Sequence, residues 1–261
     1  MNDLRTFFIC LLIGIGLAVI ALLFMGEVIA GLLLAFAGHM LLLYARLKPA
    51  SQLLGSVVTN FQTDEEEVWL TIDDGPDEKG TPIVLDLLDE YQAKATFFII
   101  GHHATANPEL VRQILERGHH IGNHTMSHPE SRFWCLFKGR VEREIDDCSI
   151  VIEEITGARP HLFRAPVGHK PWSLHTVLRK LDLPLIGWTA RGFDGVSTDS
   201  DRIVRRIEKD IAPGSIILLH EGRGTLPDTL GKILPDLLAK NYRCVLPLPD
   251  SFVCGRRKTK R

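Results

Sequence analysis

The chain has no C-x-x-C, and its five cysteines (Cys10, Cys135, Cys148, Cys244 and Cys254) are odd in number, with one inside a long apolar run. A disulfide framework and a cysteine zinc site are therefore excluded, and the pattern fits a reducing compartment. Net charge is also scarce. Thirty Lys and Arg stand against 32 Asp and Glu, leaving −2, which argues against nucleic acid as a partner. No G-x-G-x-x-G follows any strand-like run, so nucleotide binding has no support. Internal repeats and low-complexity segments are absent.

Charge is missing altogether from residues 7–25 and from 28–44, two runs parted only by Gly26-Glu27. The first is long enough to cross a hydrocarbon core of about 30 Å, and the second is at the short limit. A cleaved signal peptide is the competing reading, and Ala35-Phe36-Ala37 has the small-x-small form. A signal's apolar region, however, runs only about 7–15 residues. The expectation is a membrane anchor over 1–47, with spans at about 7–25 and 28–44. Arg5 precedes the first span, and Arg46 and Lys48 follow the second. A tight hairpin then places both ends on the cytoplasmic side by the positive-inside rule. A second segment lying in the interface would instead send the rest of the chain outward. The basic end at 256–261, RRKTKR, favours the hairpin because such tails are drawn to anionic leaflet lipids; the alternative is a plain solvated tail. The expected location is the inner (plasma) membrane, multi-pass, with the soluble domain in the cytoplasm.

Residues 48–67 are polar, end in Asp64-Glu65-Glu66-Glu67, and read as a linker. From Val68 onward enough chain remains for one domain with a full core, assigned to 68–250, with a basic tail at 251–261. Strand-like runs fall at 68–72, 95–100, 119–122, 162–165, 183–189, 215–219 and 243–247. Helical patterns lie between them at 81–91, 108–117, 139–155, 171–181, 200–210 and 227–240. This alternation predicts parallel strands with right-handed crossovers. Short strands apolar throughout are those covered by helices. An α/β fold, a (β/α) barrel incomplete at seven strands, explains the pattern better than an open sheet.

In a barrel, function gathers where strands end. There stand Asp73-Asp74, His124 and His128, Arg164, Asp194, and His220-Glu221. The i, i+4 spacing of His124 and His128 predicts two imidazoles on one side of a helical turn. With one carboxylate they make a set suited to zinc or another divalent metal. Neighbouring strand residues such as Asp73 and Asp74 point to opposite faces, and Gly75-Pro76 is expected to turn the backbone and relax that alternation.

TIDDGP, ATFFIIG, GNHTMSH, FRAPVG and SIILLHE, in this order between Val68 and Pro247, resemble the motif series of the polysaccharide deacetylase family, the NodB-like esterases of carbohydrate esterase family 4. The resemblance implies a distorted (β/α)7 barrel, with Asp74, His124 and His128 binding the metal and Asp73 as general base. His220 would be the general acid, held protonated by Asp194, and Arg164 would orient Asp73. The backbone N–H of Val167 would hold the oxyanion and Leu218 would line the acyl pocket. The chain departs from the family at Ile72, where an aromatic is usual, and at Val167, where tyrosine is common. Around W-T-A-R-G-F-D-G (residues 188–195) the family tends to have Asp-x-x-Asp-Trp, and Arg191 and Gly195 replace the first aspartate and the tryptophan. A cation there suits a substrate bearing a phosphate; the alternative is an ion pair with a surface carboxylate.

Residues 131–140, SRFWCLFKGR, mix Phe133, Trp134, Leu136 and Phe137 with cations, as at a membrane interface; the alternative is the buried start of the next helix. Together these features imply a membrane-anchored, zinc-dependent hydrolase removing an N-acyl group, with acetyl expected, from an amino sugar by metal-activated water. A lipid-linked sugar is favoured over a cell-wall or exopolysaccharide polymer by orientation, Arg191 and the basic tail. A catalytically silent glycan-binding protein on the same fold is the rival of a different class.

Overall fold

The computed structural model describes residues 2–255, so the basic run at 256–261 lies outside the described residues. Two helices come first, α1 (Asn2–Phe24) and α2 (Val28–Leu47), followed by β1 (Val58–Phe61) and β2 (Glu67–Asp73). Next are α3 (Gly80–Glu90), β3 (Ala95–Ile99), α4 (Gly101–Ala106), α5 (Pro108–Glu116) and β4 (His120–Asn123). Then come α6 (Lys138–Thr156), α7 (Leu174–Lys180), β5 (Ala190–Arg191), α8 (Ser200–Glu208) and β6 (Ser215–His220). The chain ends in α9 (Leu226–Ala239), β7 (Arg243–Cys244) and β8 (Phe252–Cys254). The six expected helices are all present. α4, only six residues long, is too short for a helical period to register.

Period-two alternation in the central strands separates two cores. Val68, Leu70 and Ile72 of β2 and Ile217 and Leu219 of β6 face outward onto Val84, Leu85 and Leu88 of α3. Trp69 faces the other way, packing with Phe61, Phe98 and Ile216. Thr71 and Asp73 share its parity and so project to the inner side. Parallel pairing of β4 with β3, β3 with β2, and β2 with β6 brings four strand ends to one rim.

The expected seven-strand barrel is realised as a curled sheet, a half-barrel, in the order β4-β3-β2-β6-β1-β8, with β5 on β6 and β7 on β2. Residues 162–165 and 183–189 do not form ladders. They join the curl only through single bridges, Asn123 to Phe163, Phe163 to Leu185 and Val58 to Ile186. Proline explains part of this, because Pro160, Pro166 and Pro184 offer no N–H to a ladder. Arg164 explains more. Its guanidinium takes the carbonyls of Ile186 and Gly187, which a neighbouring strand would otherwise use.

The segment expected as a linker contains β1, antiparallel to both β6 and β8. β8 lies in the stretch expected as tail. Phe252 of β8 stacks on Trp69 with ring centroids 5.4 Å apart. Neither strand announces itself, since each is only three or four residues long and flanked by polar sequence.

α1 and α2 form an antiparallel hairpin. Both are long and apolar enough to cross a membrane, with mean hydropathies of 3.0 and 2.1. Gly38 lies so close to Ile15 that a Cβ would sit 3.0 Å from it, the close approach small residues permit between apolar helices. The hairpin's open end, where Phe8 and Ala45 pack with Leu54, meets the domain. The end of α2 is held firmly there. Lys170 is buried, its backbone N–H donates to Arg46 O, and its ammonium donates to the carbonyls of Lys48 (2.5 Å) and Pro49 (2.8 Å). Burial pushes that ammonium down to about 7.

A chain that begins at Val68 loses β1 and, with it, the buried side chains of Val58 and Phe61. The loss is about 3–6 kcal/mol, a large share of the roughly 5–15 kcal/mol that holds a typical domain. Thermal or denaturant unfolding should show that a chain starting at Val68 is far less stable than one starting at Pro49. Equal midpoints would mean that β1 is dispensable.

Candidate active site

Asp73 ends β2 with its side chain on the inner face, and alternation should turn Asp74 away. It does not, because Asp74 itself adopts φ 72°. This left-handed backbone, which Asp tolerates better than most residues, swings the second carboxylate back toward the same rim. The relaxation expected of Gly75-Pro76 thus occurs one residue earlier. Gly75 serves another purpose: a Cβ there would lie 1.8 Å from Glu221 Oε2.

The helical turn expected for His124 and His128 is absent. Residues 124–128 form a loop in which Thr125 (φ 73°) and His128 (φ 46°) are left-handed. Asn123 accepts from Thr125 N–H, Thr125 Oγ1 accepts from His128 N–H, and buried Glu144 of α6 accepts from Ser127 at both its backbone N–H and its hydroxyl. These bonds, rather than a helical period, bring the rings to 4.6 Å between centroids.

His124 Nε2 and His128 Nε2 each lie 3.4 Å from Asp74 Oδ1, and one ligand atom from each of the three residues falls within 4.8 Å of the others. Asp74 Oδ1 is buried and accepts no hydrogen bond from the described residues. An orphaned carboxylate oxygen between two imidazoles is the arrangement a cation satisfies. His124 Nδ1 lies 2.9 Å from Arg164 O, and because a carbonyl only accepts, Nδ1 carries the proton and Nε2 presents its lone pair. The donor set fits a divalent metal. Burial works to raise Asp74, yet the imidazoles around it, His124 foremost and then His128 and His220, hold it well below the usual carboxylate range. Burial, the largest cause, pushes His128 down to about 3.

Arg164 lies fully buried beneath Asp73. It donates at 2.7 Å to Asp73 Oδ1 and to Thr71 Oγ1, and stacks 4.3 Å from the Phe98 ring centre. Asp73 Oδ2 is left facing His124 Nε2 at 3.6 Å. Asp194 grips His220 twice, accepting from its backbone N–H at 2.6 Å and lying 3.0 Å from Nδ1. Burial opposes charge on His220, but the Asp194 bond and charge prevail, with Asp73 and Asp74 adding, and raise it to about 9.

Asp73, Asp74, His124, His128, Val167, Arg191, Asp194, Leu218 and His220 all line one cavity of about 220 Å³, and Arg164 supports it from behind. Val167 sits in a left-handed turn (φ 55°), and no backbone carbonyl among the described residues accepts from its N–H. Leu218 shares the inner face with His220. Arg191 makes no ion pair among the described residues; it stacks 3.9 Å from the Phe193 ring centre and 5.8 Å from that of Trp188. The surface ion pair considered for it is therefore not formed. In residues 131–140, Phe133 is core, Trp134 lies under Arg46 at 5.1 Å, and Phe137 is 88% exposed, so the stretch divides between the two expectations.

Sequence reading missed the aromatic walls Trp188 and Phe193, Arg223 on the cavity lining, and the role of Glu221. Glu221 is buried, accepts from Thr81 Oγ1 at 2.8 Å and has no partner at Oε2 among the described residues. Burial pushes it up to about 8 against the Thr81 bond, with Asp77 and Asp74 adding. The aromatics were visible within the same eight-residue motif as Arg191, but nothing there showed that they flank the cavity.

A family model described as polysaccharide deacetylase matches residues 60–186. A peptidoglycan-N-acetylglucosamine deacetylase of Bacillus cereus is 35% identical over 201 residues, 73% of this chain and 91% of that protein. A chitooligosaccharide deacetylase of Sinorhizobium fredii is 36% identical, covering 61% of this chain and 74% of that one. Among solved structures, a peptidoglycan N-acetylglucosamine deacetylase in complex with a naphthyl N-hydroxybenzamide superposes with a TM-score of 0.68 at 32% identity, over 76% of this chain and 94% of that one.

Two outcomes follow from this geometry. Arg164→Met leaves buried Asp73 without its partner and should cost about 3–5 kcal/mol in denaturant unfolding; parent-like stability would contradict the pairing. The His220–Asp194 pair has a raised folded pKa, so its contribution is complete below the ordinary 6.5 and lost as pH rises through about 9. Asp194→Asn should move the alkaline limb of the kcat profile to lower pH by about 1–3 pH units, whereas an unmoved limb would assign it to another group.

Proposed function

The chain belongs to the polysaccharide deacetylase family, hydrolases of carbon–nitrogen bonds other than peptide bonds, and on that premise we propose that it removes the N-acetyl group of an amino sugar at a membrane surface. The observation that carries the reading is the orphaned Asp74 oxygen between two imidazoles, with the Arg164–Asp73 and Asp194–His220 pairs lining or backing the same cavity. The relatives, by their names, act on peptidoglycan N-acetylglucosamine and on chitooligosaccharide, and their shared chemistry is an acetamide on a sugar.

A divalent ion held by Asp74, His124 and His128, zinc by the preference of two imidazoles and a carboxylate, would supply Lewis acidity toward the acetyl carbonyl and toward a water. Asp73, with Oδ1 taken by Arg164, has Oδ2 left to accept the proton of the attacking water. The Val167 N–H would hold the oxyanion, and Leu218 would give the acetyl methyl an apolar wall. His220, kept protonated by Asp194, donates to the nitrogen as the carbon–nitrogen bond breaks, releasing acetate and the free amine.

The anchor reading rests on an apolar shaft whose large side chains are mostly exposed, which water tolerates poorly and a bilayer accepts. Arg5, Arg46 and Lys48 gather at the hairpin's open end, beside the domain. By the positive-inside rule that end, and the active site with it, belongs in the cytoplasm.

Asp73→Asn should retain stoichiometric metal and lose about 10²–10⁴-fold in turnover, while His128→Ala should lose both metal and turnover. Metal analysis beside an acetate-release assay on N-acetylated sugars reads the two separately. Metal lost equally from both variants would show that the two aspartates do not divide the work.

A further inference from the structure

A second cavity, of about 560 Å³, adjoins the catalytic one and shares Trp188, Arg191 and Phe193 with it. Its other wall is the end of the hairpin: Tyr44 on the last turn of α2, then Lys48 and Pro49. The volume is within the roughly 300–1,000 Å³ of small-molecule sites. Nothing in the reaction described above uses it.

Three features give this groove a polarity. Arg191, half-buried at the boundary between the cavities, has one face stacked on Phe193 and no hydrogen bond or ion pair to any described residue. Its nearest carboxylate in sequence, Asp194, is committed to His220. Lys48 supplies a second cation across the groove, against one lining carboxylate, Asp210. Beyond Tyr44 the wall continues as the exposed apolar surface of α2, with Met40, Phe36 and Leu33 successively farther out. From inside outward the order is acetamide chemistry, a free guanidinium, a second cation, an aromatic and then hydrocarbon.

We propose that this groove binds the phosphate and the first carbons of a lipid that carries the amino sugar. The inference rests on the deacetylase reading and deepens it by naming the substrate class. The sugar would reach the catalytic cavity, its phosphate would meet Arg191 and Lys48, and the chain would leave past Tyr44 along α2. The groove's wall is rigid enough for this, because the buried Lys170 ammonium fixes the carbonyls of Lys48 and Pro49, and Gly168 lies where a Cβ would be 2.6 Å from Pro49. A soluble glycan strand would gain nothing from a site that ends on an apolar helix.

The test uses the full chain in detergent micelles and three probes: geranylgeranyl phosphate, geranylgeraniol and inorganic phosphate, each titrated calorimetrically. The lipid phosphate should bind about tenfold or more tightly than either of the others. Arg191→Gln and Lys48→Gln should each weaken it without changing the alcohol. Equal binding of the alcohol, inorganic phosphate binding as tightly as the lipid phosphate, or indifference to both substitutions would overturn the proposal, and the three-probe comparison on the unaltered protein needs no variant to fold. Acetate release from chitotetraose bearing N-acetyl groups is followed in parallel. Release without any preference for the lipid phosphate sinks the groove alone. Selective binding of the lipid phosphate, with no release from that sugar or from a geranylgeranyl-phosphate-linked N-acetylglucosamine, upholds the groove and sinks the deacetylase reading.

Discussion

Everything at this site hangs on one buried guanidinium. Arg164 has no access to solvent, and an unpaired charge so placed costs several kcal/mol. The surrounding chain is arranged to satisfy it: Thr71 and Asp73 from β2, the carbonyls of Ile186 and Gly187 from the facing segment, and the face of Phe98. Its own carbonyl receives His124 Nδ1–H. One residue therefore fixes the carboxylate of Asp73 through its side chain and the tautomer of His124 through its backbone, and it takes carbonyls from the segment that would otherwise complete the barrel.

That constraint explains why two adjacent aspartates are not redundant. Asp73, held by Arg164, is tied to the protein, while Asp74, turned back by its left-handed backbone, has a buried oxygen that no described residue satisfies. Asp74, His128, Val167 and Phe193 all line the cavity at positive φ. Each costs on the order of 1–3 kcal/mol, the strain that collects where geometry is held for function rather than for stability.

The candidate site residues were legible because most of them lie at or just past the end of a short apolar run, a local signal. The helices and the central strands were legible for the same reason. What stayed hidden depends on partners distant in sequence. β1 and β8 are defined by Trp69 and by each other, not by their own short runs. The loop at His124 takes its shape from Asn123 and from Glu144 on α6, so the i, i+4 spacing suggested a helical turn that does not exist. Glu221 matters because Gly75 leaves room for it, a relation across the whole domain.

The hairpin also shapes the site, since its last turn and the residues after it form a wall beside the candidate catalytic cavity, fixed by Lys170. The central claim remains the division between Asp73 and Asp74, and locating the metal tests it most directly. Anomalous scattering from crystals of the zinc-loaded protein should give one peak within about 2.0–2.2 Å of Asp74 oxygen, His124 Nε2 and His128 Nε2, with Asp73 still on Arg164 and outside that distance. A peak ligated by Asp73, or no peak among these three residues at saturating zinc, would contradict the account.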